Sequence, residues 1–305
     1  MTTRTMHRPR TRRSVLRAGG LLASALSTLA FPASRSAAQP LALEHGYAEG
    51  DGIRLHYVRA GSGPLILFLH GNPRSWALWR AQLAEFGRDH LAVAPDLRGW
   101  GRSGQPEAVE AYAMPHLLRD LQGLLSHLGR KRCILVGHDW GGYLAWVFAA
   151  AFPSRVERLV IVNGPHPAVF LREVATNPKQ IAASQYERAY HAPGAVCEGG
   201  CKLYLADPIK VPASVEGGRD LLTLELATHF FAGLDVEPAT PSLAVRVPTL
   251  VIWGMQDPYL LPGLLDGLDD HVPDLTILRV PDAGHWVVEE QPELVSQAIR
   301  RFIGR

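Results

Sequence analysis

Val136-Gly137-His138-Asp139-Trp140-Gly141-Gly142 connects a short apolar run to a helix-period segment with no spacer between them. The run ending at Val136 (residues 132–136) reads as a buried strand, and residues 140–152 read as a helix. A strand-to-helix turn this tight needs small residues on both flanks, and it lifts the side chain at its apex, Asp139, above the sheet edge. Outward from this turn the same alternation repeats. Strands are expected over 52–59, 64–69, from His90 to Pro95, and over 156–162, 247–253 and 274–280. Helices are expected over 75–88, 115–128, 262–270 and 292–303. Pro64-Leu65-Ile66-Leu67-Phe68-Leu69 does not alternate in polarity, as expected of a strand covered on both faces. Repeated strand–helix alternation predicts an α/β fold, a mostly parallel sheet with helices on both sides. Residues 165–242 break the rhythm: they are helix-rich, punctuated by Pro178, Pro193, Pro208 and Pro212, and offer no clear strand. They read as a helical lid inserted into a core formed by residues 39–164 and 243–305.

Composition narrows the possibilities. Of 305 residues, 47% are hydrophobic and 20% charged, which excludes intrinsic disorder and a disulfide-stapled miniprotein. The net charge of +2 is misleading, because residues 1–38 contain seven of the 31 basic residues and no acid. The remaining chain has 24 basic residues against 29 acidic ones, a surface with no electrostatic attraction for nucleic acid or an anionic membrane. Within the leader, Thr11-Arg12-Arg13-Ser14-Val15-Leu16-Arg17 resembles a twin-arginine export motif. An apolar run from Ala18 to Pro32 follows, and Ser36-Ala37-Ala38 supplies a small-x-small cleavage pattern. The leader therefore predicts recognition by the twin-arginine export machinery and cleavage after Ala38. The mature chain, residues 39–305, would have no membrane span and would reside in a bacterial periplasm or outside the cell. Cys197 and Cys201, four residues apart, pair in such a compartment only if their Cβ atoms approach; Cys133 reads as a buried thiol. Cysteines and histidines show no metal-ligand spacing, so no metal is expected.

The chemistry follows from three placements. Asp139 sits at the apex of the turn, Asp257 in Trp253-Gly254-Met255-Gln256-Asp257-Pro258 just past a strand, and His285 in Asp282-Ala283-Gly284-His285-Trp286 past the next strand. Strand C-terminal ends are where open α/β sheets assemble their sites. Singly, Asp139 also reads as a helix N-cap, Asp257 as a turn residue and His285 as structural; the shared order argues for a triad. With Asp139 where esterases place a serine, the chain resembles an α/β-hydrolase of the aspartate-nucleophile branch, which includes epoxide hydrolases and haloalkane dehalogenases. The resemblance covers essentially all of residues 43–305. It implies Asp139 as nucleophile, His285 as base and Asp257 as its orienter, with no cofactor. Leu69-His70-Gly71-Asn72-Pro73 resembles the family's His-Gly-x-Pro loop, implying an oxyanion hole from the backbone N–H groups of Asn72 and Trp140, with His70 bracing the loop. Asp96-Leu97-Arg98-Gly99-Trp100-Gly101-Arg102-Ser103 reads as a structural loop.

The leaving group separates the branches. Opening an epoxide needs a proton donor aimed at the nucleophile from the lid, whereas halide release needs N–H donors, for which Trp140 and the Asn72 side chain qualify. Asn163-Gly164-Pro165-His166-Pro167, Asn177-Pro178-Lys179-Gln180, and Tyr186 seven residues before Pro193-Gly194 resemble an epoxide-hydrolase lid. The resemblance implies Tyr186 as the ring-opening acid, with Tyr190 as its rival. The family's second lid tyrosine is expected near Thr228-His229-Phe230-Phe231, where this sequence offers Phe230 and, adjacent, His229 as a possible donor. The expected substrates are a small apolar epoxide and water. The alternatives are a haloalkane dehalogenase with the same triad and a non-catalytic ligand-binding protein of the same fold. The haloacetate branch is set aside because Trp140 follows Asp139 where that branch looks for arginine.

Overall fold

The structure is a computed structural model that describes residues 42–214, 223–238 and 241–304; the leader expected over residues 1–38 lies outside them. The chain opens with strands β1 (Glu44–Glu49), β2 (Arg54–Ala60) and β3 (Leu65–Leu69), followed by a 3-10 turn at Trp76–Trp79 and helix α1 (Arg80–Phe86). Next come β4 (Leu91–Pro95), α2 (Met114–His127), β5 (Cys133–His138), α3 (Trp140–Ala151) and β6 (Val156–Val162). Helices α4 (Pro167–Thr176), α5 (Pro178–Ala183), α6 (Lys202–Ala206) and α7 (Thr223–Phe230) then precede β7 (Thr249–Gly254). The chain finishes with β8 (Leu275–Val280), α8 (Val287–Glu290) and α9 (Pro292–Ile303).

The strands form one eight-stranded sheet in the order β1-β2-β4-β3-β5-β6-β7-β8. β1 and β2, and β2 and β4, pair antiparallel; every other neighbouring pair is parallel. All of β3, β4, β5 and β7 is buried, which explains their unbroken apolar sequence: helices cover both faces. Alternate residues of β3 feed two separate cores. Leu65, Leu67 and Leu69 join the layer of α2, α3 and the lid. Ile66 and Phe68 join the opposite layer, into which α9 sends Val295, Ile299 and Phe302 at helical spacing. Each such side chain contributes roughly 1.5–3 kcal/mol on burial.

Three expectations change. β1 was not foreseen: it is a mostly exposed antiparallel edge strand with only Ala48 buried, so its pattern has no apolar stripe to reveal it. The helix expected over 262–270 is two 3-10 turns, Pro262–Leu265 and Leu268–Asp270, interrupted by Gly267 at φ 75°. The helix expected over 75–88 is divided between a 3-10 turn and α1. Between β6 and β7 the described residues contain helices and no strand. Proline opens both α4 and α5, and the Asn177 side chain caps α5 by accepting from the Lys179 N–H at 3.0 Å. Cys197 and Cys201 form a disulfide with Cα atoms 5.7 Å apart, just before α6. Cys133 is buried, and burial pushes its thiol up to about 12. Among the described residues, no helix is long and apolar enough to cross a membrane.

Candidate active site

Asp139 occupies the turn between β5 and α3 with φ 53° and ψ −122°, a backbone region that non-glycine residues rarely adopt. Its neighbours make the turn possible. A Cβ at Gly137 would strike the backbone of Gly141 and Gly142, and one at Gly141 would strike the Leu69 carbonyl. The bend is held by Asp139 N–H, which faces the Val162 and Asn163 carbonyls at 3.3 and 3.2 Å, and by Tyr143 N–H donating to the Asp139 carbonyl at 2.9 Å. No side-chain capping bond forms from Asp139, so its carboxylate is left to face the site.

His285 lies between two carboxylates. Its Nδ1 hydrogen-bonds Asp257 Oδ2 at 2.7 Å, and its Nε2 lies 3.6 Å from Asp139 Oδ2. Asp257 is fixed in turn: Oδ1 accepts from the N–H groups of Tyr259 and Leu260, and Oδ2 accepts from the Asn163 side-chain amide at 2.7 Å. Asn163 also accepts from Gly254 N–H at 2.9 Å, tying the end of β6 to the end of β7. His138 is buried beneath His285, and its Nε2 hydrogen-bonds the His285 carbonyl at 2.8 Å. Burial is the main cause that brings the His138 pKa down to about 4, so its ring is neutral. Burial works against charge on His285, but hydrogen bonding and charge from Asp139 and Asp257 raise it to about 10. Asp139 shows the converse: burial disfavours its anion, yet the hydrogen bond and charge of His285 and the Trp140 N–H hold its pKa below the usual carboxylate value. The resting site is therefore a carboxylate–imidazolium pair. Asn163 and His138 went unassigned in the sequence, although both lie in quoted motifs. Their role depends on contacts across strands.

The Asn72 N–H donates to Asp139 Oδ1 at 2.7 Å, and the Trp140 N–H also hydrogen-bonds this carboxylate. The loop carrying Asn72 is braced by His70, whose Nδ1 bonds the Gly71 carbonyl at 2.9 Å and whose Nε2 accepts from Leu97 N–H at 3.0 Å. Both ring nitrogens are thereby used. The loop at 96–103 is tied down as well: Asp96 binds His56, Trp76 N–H and Arg102 N–H, and Arg98 pairs with Asp120.

From the lid, Tyr186 and a residue not foreseen, Tyr204, line the space around Asp139. Asn72, Asp139, Tyr186, Tyr204 and His285 line one chamber of about 310 Å³. The Asn72 side-chain amide donates to the Tyr204 hydroxyl at 3.2 Å, and Trp140 meets Tyr204 edge-on at 5.1 Å. Burial, followed by nearby negative charge and the other tyrosine, raises the Tyr186 pKa; burial and the charges of Asp139 and Glu187 raise that of Tyr204. Both phenols therefore keep their protons. Tyr190 also lines this chamber but stacks flat against Tyr204 at 4.5 Å. The second lid position expected near residue 230 does not lie here. His229 is exposed, and Phe230 is buried against Tyr143. α7 turns its Leu226, Ala227 and Phe230 stripe inward, which leaves His229 on the solvent side.

This sheet order, with an acid at a strained strand–helix turn and a histidine held by a second acid, defines an α/β-hydrolase architecture. The sequence pattern of the alpha/beta hydrolase fold family matches residues 64–194 and 205–292, and the chain belongs to that family. Among curated relatives, epoxide hydrolase 3 of Xenopus tropicalis is 36% identical over 286 residues, covering 85% of this chain and 78% of its own. Epoxide hydrolase 4 of Mus musculus is 31% identical over 278 residues, covering 83% and 77%. A solved structure of the Bacillus megaterium epoxide hydrolase with an inhibitor matches with a TM-score of 0.68 at 30% identity, covering 85% of this chain and 100% of that one. A structure from work on epoxide hydrolases in metagenomes from hot environments matches at 0.72 with 32% identity, covering 86% and 99%.

Proposed function

We propose that the chain is an epoxide hydrolase that opens its substrate to a vicinal diol through an ester on Asp139. The observation that carries this reading is the pair of protonated phenols, Tyr186 and Tyr204, in the chamber that contains the Asp139 carboxylate. Asp139 attacks a ring carbon, the C–O bond of the ring breaks, and the ring oxygen takes a proton from one of the phenols. Esterification removes the negative charge that kept His285 protonated. The imidazolium then returns a proton to the phenolate and becomes the neutral base. Held by Asp257, His285 draws a proton from water as that water attacks Cγ of Asp139, and the N–H groups of Asn72 and Trp140 stabilise the resulting oxyanion. Collapse releases the diol and restores the Asp139–His285 pair. The similarity to relatives named epoxide hydrolases supports the same substrate class.

Halide displacement with Asn72 and Trp140 as donors is the second reading. The engagement of the Asn72 amide by Tyr204 weighs against it, because one of its two N–H donors already has a partner. The two readings separate in His285→Gln, which forms the ester and hydrolyses it slowly. Intact mass after exposure to epoxides should rise by the whole epoxide, and Asp139→Ala should abolish the gain. A gain equal to a haloalkane less HX, with no epoxide adduct, would assign the site to dehalogenation. The leader further suggests a bacterial periplasmic or secreted location through the twin-arginine machinery; replacing Arg12 and Arg13 by Lys should then trap the precursor in the cytoplasm.

A further inference from the structure

Next to the tyrosine chamber lies a second and much smaller space of about 30 Å³. The two share Asp139 and Tyr186, so a substrate lying across the nucleophile extends toward both. The inner space has apolar walls, Pro165, Phe170 and Leu260 among them, but three polar side chains also line it: Glu187, Asp207 and Tyr143. Glu187 also accepts from the Tyr186 hydroxyl, while Asp207 and Tyr143 have no part in the chemistry proposed above.

Tyr143 is 3% exposed, and its hydroxyl has no hydrogen-bond partner of acceptable geometry, although it faces the Asp207 carboxylate. A buried polar atom left poorly paired costs up to roughly 1–3 kcal/mol, so a hydroxyl poorly aligned with Asp207 beside an empty space points to a better partner that arrives with a ligand. Asp207 accepts from Ile209 N–H at 2.7 Å through Oδ1, and its carboxylate, beside the Tyr143 hydroxyl, lines the space. The charged groups nearby are Asp139, which acts on Glu187, and Lys210, which acts on both acids while donating to the Tyr204 and Leu205 carbonyls. Burial leads the causes that move Glu187 up to about 8 and Asp207 up to about 6. Near neutrality the pair thus holds about one proton and one charge, and it offers acceptor oxygens to an incoming donor.

We propose that Glu187, Asp207 and Tyr143 form a polar subsite at the inner end of the substrate pocket, which binds a hydroxyl or protonated amine at the end of the epoxide's substituent. The size of the space suits an end group of one or two heavy atoms, with the apolar body of the substrate lying over Asp139. This subsite rests on the epoxide reading only for the identity of the group that reacts.

Three epoxides of equal chain length test it: one ending in methyl, one in hydroxyl and one in amine. For the intact protein, kcat/KM should favour a polar end over methyl by about tenfold, the value of one charge-assisted hydrogen bond. The hydroxyl and amine arms show which donor is preferred. Asp207→Asn combined with Glu187→Gln should lower the amine-to-methyl ratio about tenfold, and Tyr143→Phe should lower the hydroxyl-to-methyl ratio. Binding of the matching unreactive diols, followed by tryptophan fluorescence, reads the same preference without turnover. If no epoxide turns over but the aminated diol still binds more tightly than its methyl counterpart, the epoxide reading fails and the subsite stands. Equal kcat/KM values and equal diol affinities in the intact protein would overturn the subsite, whatever the variants do.

Discussion

His285 Nε2 lies 3.6 Å from Asp139 Oδ2, while its Nδ1 is bonded at 2.7 Å to Asp257, so one imidazole is shared between two buried carboxylates. The shorter bond is to Asp257 and the longer contact is to Asp139. In the proposed mechanism an unalkylated Asp139 keeps the ring protonated, and an esterified one releases it to act as a base.

That arrangement has a consequence for stability. His285 retains its proton to about pH 10 in the folded chain, against about 6.5 when unfolded. A raised folded pKa means that the stabilisation is complete below about pH 6.5 and is lost as pH rises toward 10. The stability advantage of the wild type over His285→Gln, measured by urea unfolding, should therefore shrink between pH 7 and pH 10. Parallel stability curves across that range would show that His285 is not charged at rest.

Tyr186 and Tyr204 should be partly redundant as proton donors. Each Tyr→Phe change is expected to slow formation of the ester with an epoxide by about 10- to 100-fold, with the double change more severe than either. Rapid-mix mass analysis of the ester in a His285→Gln background measures this step directly. His229→Ala should leave it unchanged, since that side chain is exposed.

Gly71 makes room for the Asp139 carboxylate. A Cβ there would collide with the Asp139 side chain, which the neighbouring Asn72 N–H holds at 2.7 Å. Displacement of a reacting group by about an ångström costs on the order of 100-fold in rate, so Gly71→Ala should lose about that much kcat while its circular dichroism stays native. Near-normal turnover in this variant would mean that the carboxylate has another productive position.

Arg98 and Asp120 form a two-pronged buried pair at 2.8 and 2.7 Å under the 96–103 loop. Burial raises the Asp120 pKa, and the Arg98 guanidinium offsets part of that penalty. Arg98→Ala leaves a buried carboxylate without its partner and should destabilise the chain by about 3–5 kcal/mol. Replacing both residues, Arg98→Met with Asp120→Leu, should recover more than half of that loss in denaturant unfolding.

How much of this was legible beforehand varied with the range of the interaction. The turn at Asp139, the parallel strands and the order of Asp139, Asp257 and His285 depend on local signals: unbroken apolar runs, flanking glycines and motif order. The exposed strand β1 carried no apolar stripe, and the segment after Pro262 had helical composition that Gly267 interrupts. In the lid, counting along the chain pointed to Phe230, while the tyrosine that lines the space around Asp139 is Tyr204, three residues after the Cys197–Cys201 loop. The match to the family pattern also omits residues 195–204.

By itself, then, the sequence determined the class of fold and which residue types stand at the strand ends, because strand burial and tight turns depend on the immediate chain. Only the tertiary structure decided which lid side chains meet Asp139, that Asn163 braces Asp257 and His138 the His285 backbone, and that Tyr143, Glu187 and Asp207 share a cavity. Those contacts join residues separated by tens of positions, and helix rotation and lid packing set them, which no short window of sequence encodes.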